Sequence, residues 1–164
     1  MKKNISIILL IIYFFPFSCK FLFKMALSLN FGTYLYSANS IYAKSSDYFV
    51  KEGIKKMDKN NFDGAINDFN KALEINPTNI QALFKRGKVK EDIKDYLGAI
   101  ADFNQILLID ENNKLGYLGR GHAKNHLKDY KGAIADFNKA ISLDTRDGDA
   151  YFMRGRAKAN LKDY

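Results

Sequence analysis

Four glycines, Gly53, Gly87, Gly121 and Gly155, stand 34 residues apart in this chain of 164 residues. Three further sets keep the same interval: the aromatic residues Phe62, Tyr96, Tyr130 and Tyr164, the alanines Ala65, Ala99 and Ala133, and the phenylalanines Phe69, Phe103 and Phe137. The segments 99–104 and 133–138 are identical. So many matches at one period predict an array of a single repeated unit, in which each unit contacts only its neighbours.

The apolar residues within each unit follow the spacing of an α-helix. In the second half of the first unit, Ala65, Phe69, Ala72 and Leu73 fall on one face at steps of three and four residues. Short polar pairs separate the two halves of each unit; they are Asn60-Asn61, Lys94-Asp95 and Lys128-Asp129. Each unit is therefore predicted to be a helix hairpin. We expect its glycine to let the first helix approach the alanine of the second closely.

These residues resemble the tetratricopeptide (TPR) repeat family. Repeat one carries the family's pattern of small, aromatic and proline residues, at Gly53, Phe62, Ala65, Phe69, Ala72 and Pro77. Later units depart from it, with Glu111 and Thr145 in place of the proline and Ile106 in place of an alanine. The resemblance implies an all-α fold, a right-handed solenoid of helix hairpins whose first helices line a concave groove.

The resemblance divides the chain into a leader and about three and a half repeats. The segments are residues 1–43, the three full repeats 46–79, 80–113 and 114–147, and the first helix of a fourth repeat, 148–164. Three interpretations of that last unit stay open: a truncated fragment, a tolerated terminal helix, or an end that pairs with another copy. Tyr151, Gly155 and Leu161 suit packing against a second helix.

Proteins of this kind usually act as scaffolds that hold a peptide or helix of a partner. The family's inward positions place these residues in the groove: Val50, Ile54, Phe84, Lys88, Glu91, Leu118, His122, His126, Phe152 and Arg156. Leu115 and Asp149 occupy inward positions too. The alternative is that these side chains fill the gaps between adjacent first helices. Either way the identity of the partner stays open.

Some TPR proteins grip a carboxylate with lysine, asparagine and arginine side chains in their first helices. Here Val50, Ile54 and Gly119 stand where that clamp needs polar or basic groups. The resemblance therefore argues against binding of a chaperone tail through such a clamp.

No motif in the chain indicates catalysis or a cofactor. His122 and His126 lie four residues apart on one helix face, but the segment lacks the glutamate of a metalloprotease motif and no third ligand is evident. Phosphate-binding loops and nucleophile elbows are absent from the sequence. We expect a protein that is not an enzyme and that uses neither a metal nor another cofactor.

Charged residues also recur with the period. Each arginine of a first helix follows an aspartate by 18 residues, which suggests the pairs Asp68–Arg86, Asp102–Arg120 and Asp136–Arg154 across repeat boundaries. Repeat one, which has no preceding unit, carries Glu52 in place of the arginine. The alternative is that these charges are solvated and recur through duplication alone.

The first 43 residues have the features of a targeting segment. A basic start precedes fifteen almost wholly apolar residues, 5–19, which is the length of a signal-peptide core and short for a membrane span. Small residues such as Ala43 offer cleavage sites. The prediction is export, either with cleavage near Lys44 or with an N-terminal anchor in which residues 5–36 contact the membrane. A cytosolic protein that starts at Met25 is a third interpretation, and Cys19 lacks the context of a lipoprotein cysteine.

The charge balance argues against a nucleic-acid partner. The formal charge is +8, but four lysines and no acid lie in residues 1–43, which leaves 22 bases against 18 acids in the remainder. We therefore expect a protein or peptide ligand, and the oligomeric state stays open. A structural spacer of an envelope assembly, or a fragment of a larger TPR protein, are the alternative functions.

Overall fold

The computed structural model of the chain describes residues 45–162. The expected targeting segment, Cys19 and the last repeated aromatic residue, Tyr164, lie outside the described residues. None of the helices formed by residues 45–162 combines the length and apolar composition needed to cross a bilayer.

The described residues form seven α-helices and no strands. The helices are α1 (Ser46–Met57), α2 (Phe62–Ile75), α3 (Ile80–Asp92), α4 (Tyr96–Ile109), α5 (Lys114–His126), α6 (Tyr130–Leu143) and α7 (Gly148–Lys162). Consecutive helices pack as hairpins, α1 with α2, α3 with α4 and α5 with α6, and α7 packs against α6. The predicted all-α solenoid of helix hairpins is confirmed.

Local sequence explains where each hairpin turns. Asn60, Lys94 and Lys128 have positive φ angles of 56°, 64° and 64°, which end the first helix of each pair. The next residue caps the second helix, and its side chain accepts a hydrogen bond from a backbone N–H three residues on. These caps are Asn61, Asp95 and Asp129. The predicted polar pairs therefore form the turns.

The core of each hairpin is built around one phenylalanine of the second helix. Phe69, Phe103 and Phe137 are buried, as are Ala65, Ala99 and Ala133. A Cβ atom at Gly53 would lie 2.6 Å from the ring of Phe69, and equivalent contacts exist at Gly87 and Gly121. The space that each of these three glycines leaves is taken mainly by the phenylalanine ring. The expected close approach of the first helix to the alanine of the second stays a prediction. At Gly155 a Cβ would meet nothing within 4 Å among the described residues.

Arg86 and Arg120 each pair with the aspartate that follows them, not with the one that precedes them. Arg86 donates from Nε and Nη2 to Asp102 at 3.0 and 2.6 Å, and Arg120 makes the same two bonds to Asp136. The predicted pairs Asp68–Arg86 and Asp102–Arg120 are therefore wrong. The aspartate and arginine of a correct pair lie 16 residues apart within one hairpin, one position before the packed phenylalanine and glycine.

The bond that crosses each repeat boundary goes to an asparagine instead. Nη1 of Arg86 donates to Asn70 Oδ1 at 2.6 Å, and the same bond joins Arg120 to Asn104 at 2.8 Å. Arg154 donates to Asn138 at 2.9 Å, which corrects the predicted Asp136–Arg154 pair. The arginine thus bridges the aspartate of its own repeat and the asparagine of the preceding repeat.

The first repeat has a weaker version of this network. Lys56 Nζ lies 2.6 Å from Asp68 Oδ2, but without hydrogen-bond geometry, and that buried oxygen receives no hydrogen bond from the described residues. Lys90 and Lys124, the equivalents of Lys56, add a second cation to the aspartates of repeats two and three, at 2.9 and 2.8 Å. Asp68 therefore has one cationic partner where Asp102 and Asp136 have two.

Candidate functional site

A cleft of about 200 Å³ opens between the first helices of repeats two, three and four. Its walls come mainly from α3, α5 and α7, and Phe137 of α6 also contributes. The lining residues are Phe84, Lys88, Leu115, Leu118, Gly119, His122, Phe137, Asp149 and Met153. Six of the nine side chains are apolar or absent, and Lys88, His122 and Asp149 supply the polar groups. A cleft of this size and lining suits one large apolar side chain.

One residue that lines the cleft is a glycine that breaks the repeat pattern. Gly119 stands where the other first helices carry long side chains, at Lys51, Lys85 and Met153. A Cβ at Gly119 would lie 2.6 Å from the ring of Phe103. The backbone of α5 therefore rests on this buried ring, and no side chain from residue 119 fills the space above it.

The structure brings together four of the residues predicted to line the groove. Phe84, Lys88, Leu118 and His122 all border the cleft. His126 lies beside them, with its ring centroid 4.7 Å from that of His122. Their part in binding a partner stays a prediction.

Phe152 and Arg156 lie outside this cleft, on α7. Phe152 is 63% exposed, and the guanidinium of Arg156 lies 5.9 Å from the centroid of its ring. These two residues form a separate aromatic and cationic surface on the last described helix.

Three of the predicted groove residues serve the fold instead. Val50 is 1% exposed and belongs to the core of repeat one, and Ile54 packs against the same core. Glu91 is buried and its carboxylate is used within the protein. The structure therefore buries Val50 and Glu91 within the array and does not leave them on an open groove surface. Their part in binding a partner stays a prediction. The gap-filling alternative holds for Val50, because α2 and α3 close over it.

Glu91 joins the first helices of repeats two and three. Its Oε2 accepts a hydrogen bond from Lys88 Nζ at 2.6 Å, and its Oε1 lies 2.9 Å from Nδ1 of His122 on the next first helix. Burial alone would raise the pKa of Glu91, but the hydrogen bonds from His122 and Lys88 outweigh it and hold this pKa below its ordinary value of 4.5. The charged carboxylate thus fixes the two polar groups at the edge of the cleft.

The two histidines are engaged with neighbouring side chains. The ring of His126 stacks on Tyr96 with centroids 4.7 Å apart, and burial together with the charge of His122 lowers the pKa of His126. No group of three or more histidine, cysteine, aspartate or glutamate side chains within residues 45–162 is arranged to hold a metal ion.

Replacing Glu91 by glutamine is expected to lower the free energy of unfolding at pH 7 by about 1–3 kcal/mol, because two charge-assisted hydrogen bonds are weakened. The depressed pKa of Glu91 means that its contribution is present above pH 4.5 and is lost as the pH falls through the folded-state pKa. The stability difference between wild type and Glu91→Gln should therefore shrink below pH 4.5 in urea titrations. The exposed Glu74→Gln is the control. A difference that stays constant down to pH 3 contradicts this assignment.

The sequence did not predict two of the residues that line the cleft, and it predicted a different significance for a third. Phe137 and Met153 border it although neither belonged to the predicted groove, and Gly119 was considered only as a missing clamp residue. A signal was available for Gly119, since a glycine at a position of long side chains marks a local opening. None was available for Phe137, which borders the cleft although it belongs to a second helix, α6.

Two family models match the repeats. The model described as TPR repeat matches residues 55–94, and the model described as Tetratricopeptide repeat matches residues 80–113 and 116–147. Together they span more than half of the chain. No match was found among curated protein sequences.

Solved structures of TPR domains superpose on the chain. The TPR domain of Arabidopsis OM64 is 26% identical, with a TM-score of 0.66, over 70% of this chain and 94% of that domain. The crystal structure of MamA is 32% identical, with a TM-score of 0.64, over 67% of this chain and 64% of MamA.

A third similar structure, the first TPR of Spaghetti (RPAP3) bound to the HSP90 peptide SRMEEVD, has a TM-score of 0.70 at 19% identity. It covers 73% of this chain and 95% of that one, and at this identity the likeness concerns the fold alone. The 34-residue period, the stacked hairpins and the matching models lead to one conclusion: this chain belongs to the tetratricopeptide repeat family.

Proposed function

We propose that this protein is a non-catalytic adaptor whose concave cleft takes an apolar side chain of a partner protein's peptide or helical segment. The observation that carries the proposal is the cleft itself, which leaves Leu115 half exposed beside Phe84 and Leu118. Full burial of one leucine or phenylalanine side chain contributes about 1.5–3 kcal/mol. Such an anchor gives a weak but specific contact, to which neighbouring groove residues add.

Peptide binding by similar folds supports this type of function. The Spaghetti TPR was solved with an HSP90 peptide, and the TPR2B domain of yeast Sti1 is described as a complex with pHsp70. In the present chain Val50 is buried, Ile54 packs in the core and residue 119 is glycine. The polar groups of a carboxylate clamp are therefore absent at these three positions, and the proposal relies on apolar anchoring.

Charges around the cleft would set the register of the bound segment. Lys88 of α3, His122 of α5 and Asp149 of α7 all line the cleft, so that groups of both signs accompany its apolar residues. The ammonium of Lys88 forms an ion pair with Glu91, which fixes the orientation of the lysine side chain and partly neutralises its charge. A partner segment with an apolar anchor between an acidic and a basic residue fits this arrangement best.

The probes for this test are peptides that bind the immobilised full chain. They are selected from a display library of random 12-residue peptides. Leu115→Asp is expected to lower the affinity for the selected peptides by about tenfold or more, because it removes an apolar wall and adds a charge to the cleft. Aspartate occupies the equivalent positions Asp47 and Asp149, so the fold should tolerate the change. Fluorescence anisotropy measures the affinity.

Leu108→Glu is the matched control for this substitution. It adds the same charge to an exposed leucine on a second helix, away from the cleft, and it reproduces Glu74 of repeat one. Equal weakening by Leu115→Asp and Leu108→Glu would contradict binding in the cleft, as would tight binding of the peptide SRMEEVD by wild type. A folded protein that selects no peptide at all would favour the structural-spacer alternative.

The proposal includes action outside the cytoplasm, after export or while tethered by the N-terminus. This part rests on the amino-acid sequence of residues 1–43 alone, with its basic start and apolar core. The intact mass of the protein from its native cells, with the fraction of origin recorded, tests it. A soluble cytosolic species that retains Met1 contradicts export.

A further inference from the structure

The outer faces of the second helices differ sharply between repeats. The residues that point to solvent at equivalent positions are Asp63, Asn67, Lys71 and Glu74 on α2, and Lys131, Ala135, Lys139 and Ser142 on α6. On α4 the same positions hold Leu97, Ala101, Gln105 and Leu108. We call these four residues the α4 stripe.

The α4 stripe exposes large apolar side chains without a local reason. Leu97 and Leu108 are 71% and 78% exposed, while the repeats on both sides carry charged or small polar residues at their positions. Because the three hairpins share one backbone pattern, nothing in the fold demands leucine here. An apolar stripe bordered by polar faces is typical of a protein contact surface.

We propose that the α4 stripe is the contact between two copies of this chain, related by a two-fold axis that runs along α4. The stripe residues recur at steps of four, four and three, so they form one straight face of the helix. Ala101 lies in its centre, where a small side chain lets two helices approach closely. A two-fold contact needs a surface that fits itself, and this face can meet its own copy residue by residue.

The charges beside the stripe favour this partner and this axis. The outer face of α2 carries Asp63 and Glu74, and that of α6 carries Lys131 and Lys139. None of these four exposed groups has an ion-pair partner among residues 45–162. A two-fold axis along α4 places α2 of one copy opposite α6 of the other, so that Asp63 faces Lys131 and Glu74 lies near Lys139.

The one cation on the acidic flank does not oppose this pairing. The ammonium of Lys71 lies 5.7 Å from the centroid of the Phe49 ring on α1, which directs it toward the neighbouring helix. An antiparallel arrangement would instead bring α2 against α2, and Asp63 would meet Glu74 of the other copy. The charge pattern therefore selects the parallel two-fold arrangement.

Sedimentation equilibrium of the full chain tests the contact. A single-helix interface lies at the small end of the known range, so we expect a dimer with a Kd on the order of 10–100 µM. The double variant Leu97→Asp with Leu108→Glu introduces the residues that repeat one carries at these positions. Its dimerisation should be about ten times weaker or more, so that it stays monomeric up to 200 µM. Leu115→Asp in the cleft should dimerise like wild type, which separates this surface from the proposed function.

Cysteine cross-linking tests the geometry in a Cys19→Ser background. Ala101→Cys and Leu97→Cys should each form covalent dimers under mild oxidation, since each residue meets its own copy across the axis. Ala135→Cys, the exposed equivalent of Ala101 on α6, is the control and should stay monomeric. If the double variant fails to fold by circular dichroism, Leu97→Lys alone, which matches Lys131, replaces it.

Three results would overturn the proposal. They are a wild-type chain that stays monomeric at 200 µM, a folded double variant that associates as strongly as wild type, and cross-linking of Ala135→Cys as fast as of Ala101→Cys. The first result would indicate that the α4 stripe contacts a different protein or a lipid surface rather than a second copy. The second would assign association to another part of the chain.

Discussion

Replacing Phe103 by alanine is expected to lower the free energy of unfolding by about 3–5 kcal/mol, the largest effect of any single truncation in the array. Phe103 is completely buried, and its ring occupies the space beside both Gly87 in its own repeat and Gly119 in the next, where an added Cβ would lie 2.9 and 2.6 Å from the ring. The ring of Phe84 also lies 6.0 Å away. Removal of the side chain leaves a cavity that two rigid helix backbones cannot close.

A loss of this size is a large part of the total stability of a domain, which is about 5–15 kcal/mol. Urea titration followed by circular dichroism measures it, with Phe152→Ala as the control. Phe152 is mostly exposed, so its truncation should change the stability by less than about 0.5 kcal/mol. Similar losses for the two variants would contradict the role assigned to Phe103.

Because Phe103 touches two repeats, its truncation should also weaken their coupling. In repeat arrays the stability is approximately a sum of repeat and interface terms. We therefore expect the unfolding transition of Phe103→Ala to broaden, as repeats one and three lose their common neighbour. The cleft above Gly119 should deform as well, since the ring that supports it is absent.

The second large effect is expected for Asp102→Ala. The carboxylate is 3% exposed and accepts two hydrogen bonds from Arg86. Lys90 Nζ also lies 2.9 Å from its Oδ2. Removal of one member of a buried ionic network costs about 3–5 kcal/mol, because the remaining charges lose their partners in a poorly solvated position. The unfolding temperature should fall accordingly in differential scanning calorimetry.

Asp68→Ala is the matched control for this prediction. Asp68 is the equivalent residue of repeat one, is similarly buried, and has only the half-exposed Lys56 as a cationic partner. Its loss should cost clearly less than that of Asp102. An unchanged unfolding temperature for Asp102→Ala, or equal losses for the two variants, would show that the arginine network contributes nothing.

The network also links stability to the stacking of repeats. Arg86 holds Asp102 with two nitrogens and Asn70 of the preceding repeat with the third. Asp102→Ala frees the guanidinium to move, so the bond to Asn70 is expected to weaken too. Asp102→Ala is therefore expected to loosen the contact between repeats one and two as well.

The period and the local pattern of the amino-acid sequence were enough to predict the helix hairpins and their turns. The turn residues Asn60, Lys94 and Lys128 and the caps that follow them are local features, since they act on backbone groups within three residues. Burial of Phe69, Phe103 and Phe137 likewise follows from helix spacing alone. Such features need no knowledge of the neighbouring repeats.

The partners of the charged residues required the tertiary structure. Arg120 stands 18 residues after Asp102 and 16 before Asp136, and the repeat pattern contains both spacings. Only the antiparallel packing of the two helices in a hairpin brings the second aspartate to the guanidinium. The sequence showed that arginine and aspartate recur, and the packing decided which of them meet.

The cleft, too, could be identified only from the tertiary structure, because it is formed by contacts between repeats. Val50, Phe84 and Leu118 occupy one repeat position, yet Val50 is buried while Phe84 and Leu118 border the cleft. Their exposure is set by contacts between helices: residues of α2 and α3 cover Val50, whereas Gly119 on α5 brings no side chain to the cleft beside Phe84 and Leu118. Local pattern determined the helices of this protein, and contacts between repeats determined which of their faces stay open to a partner.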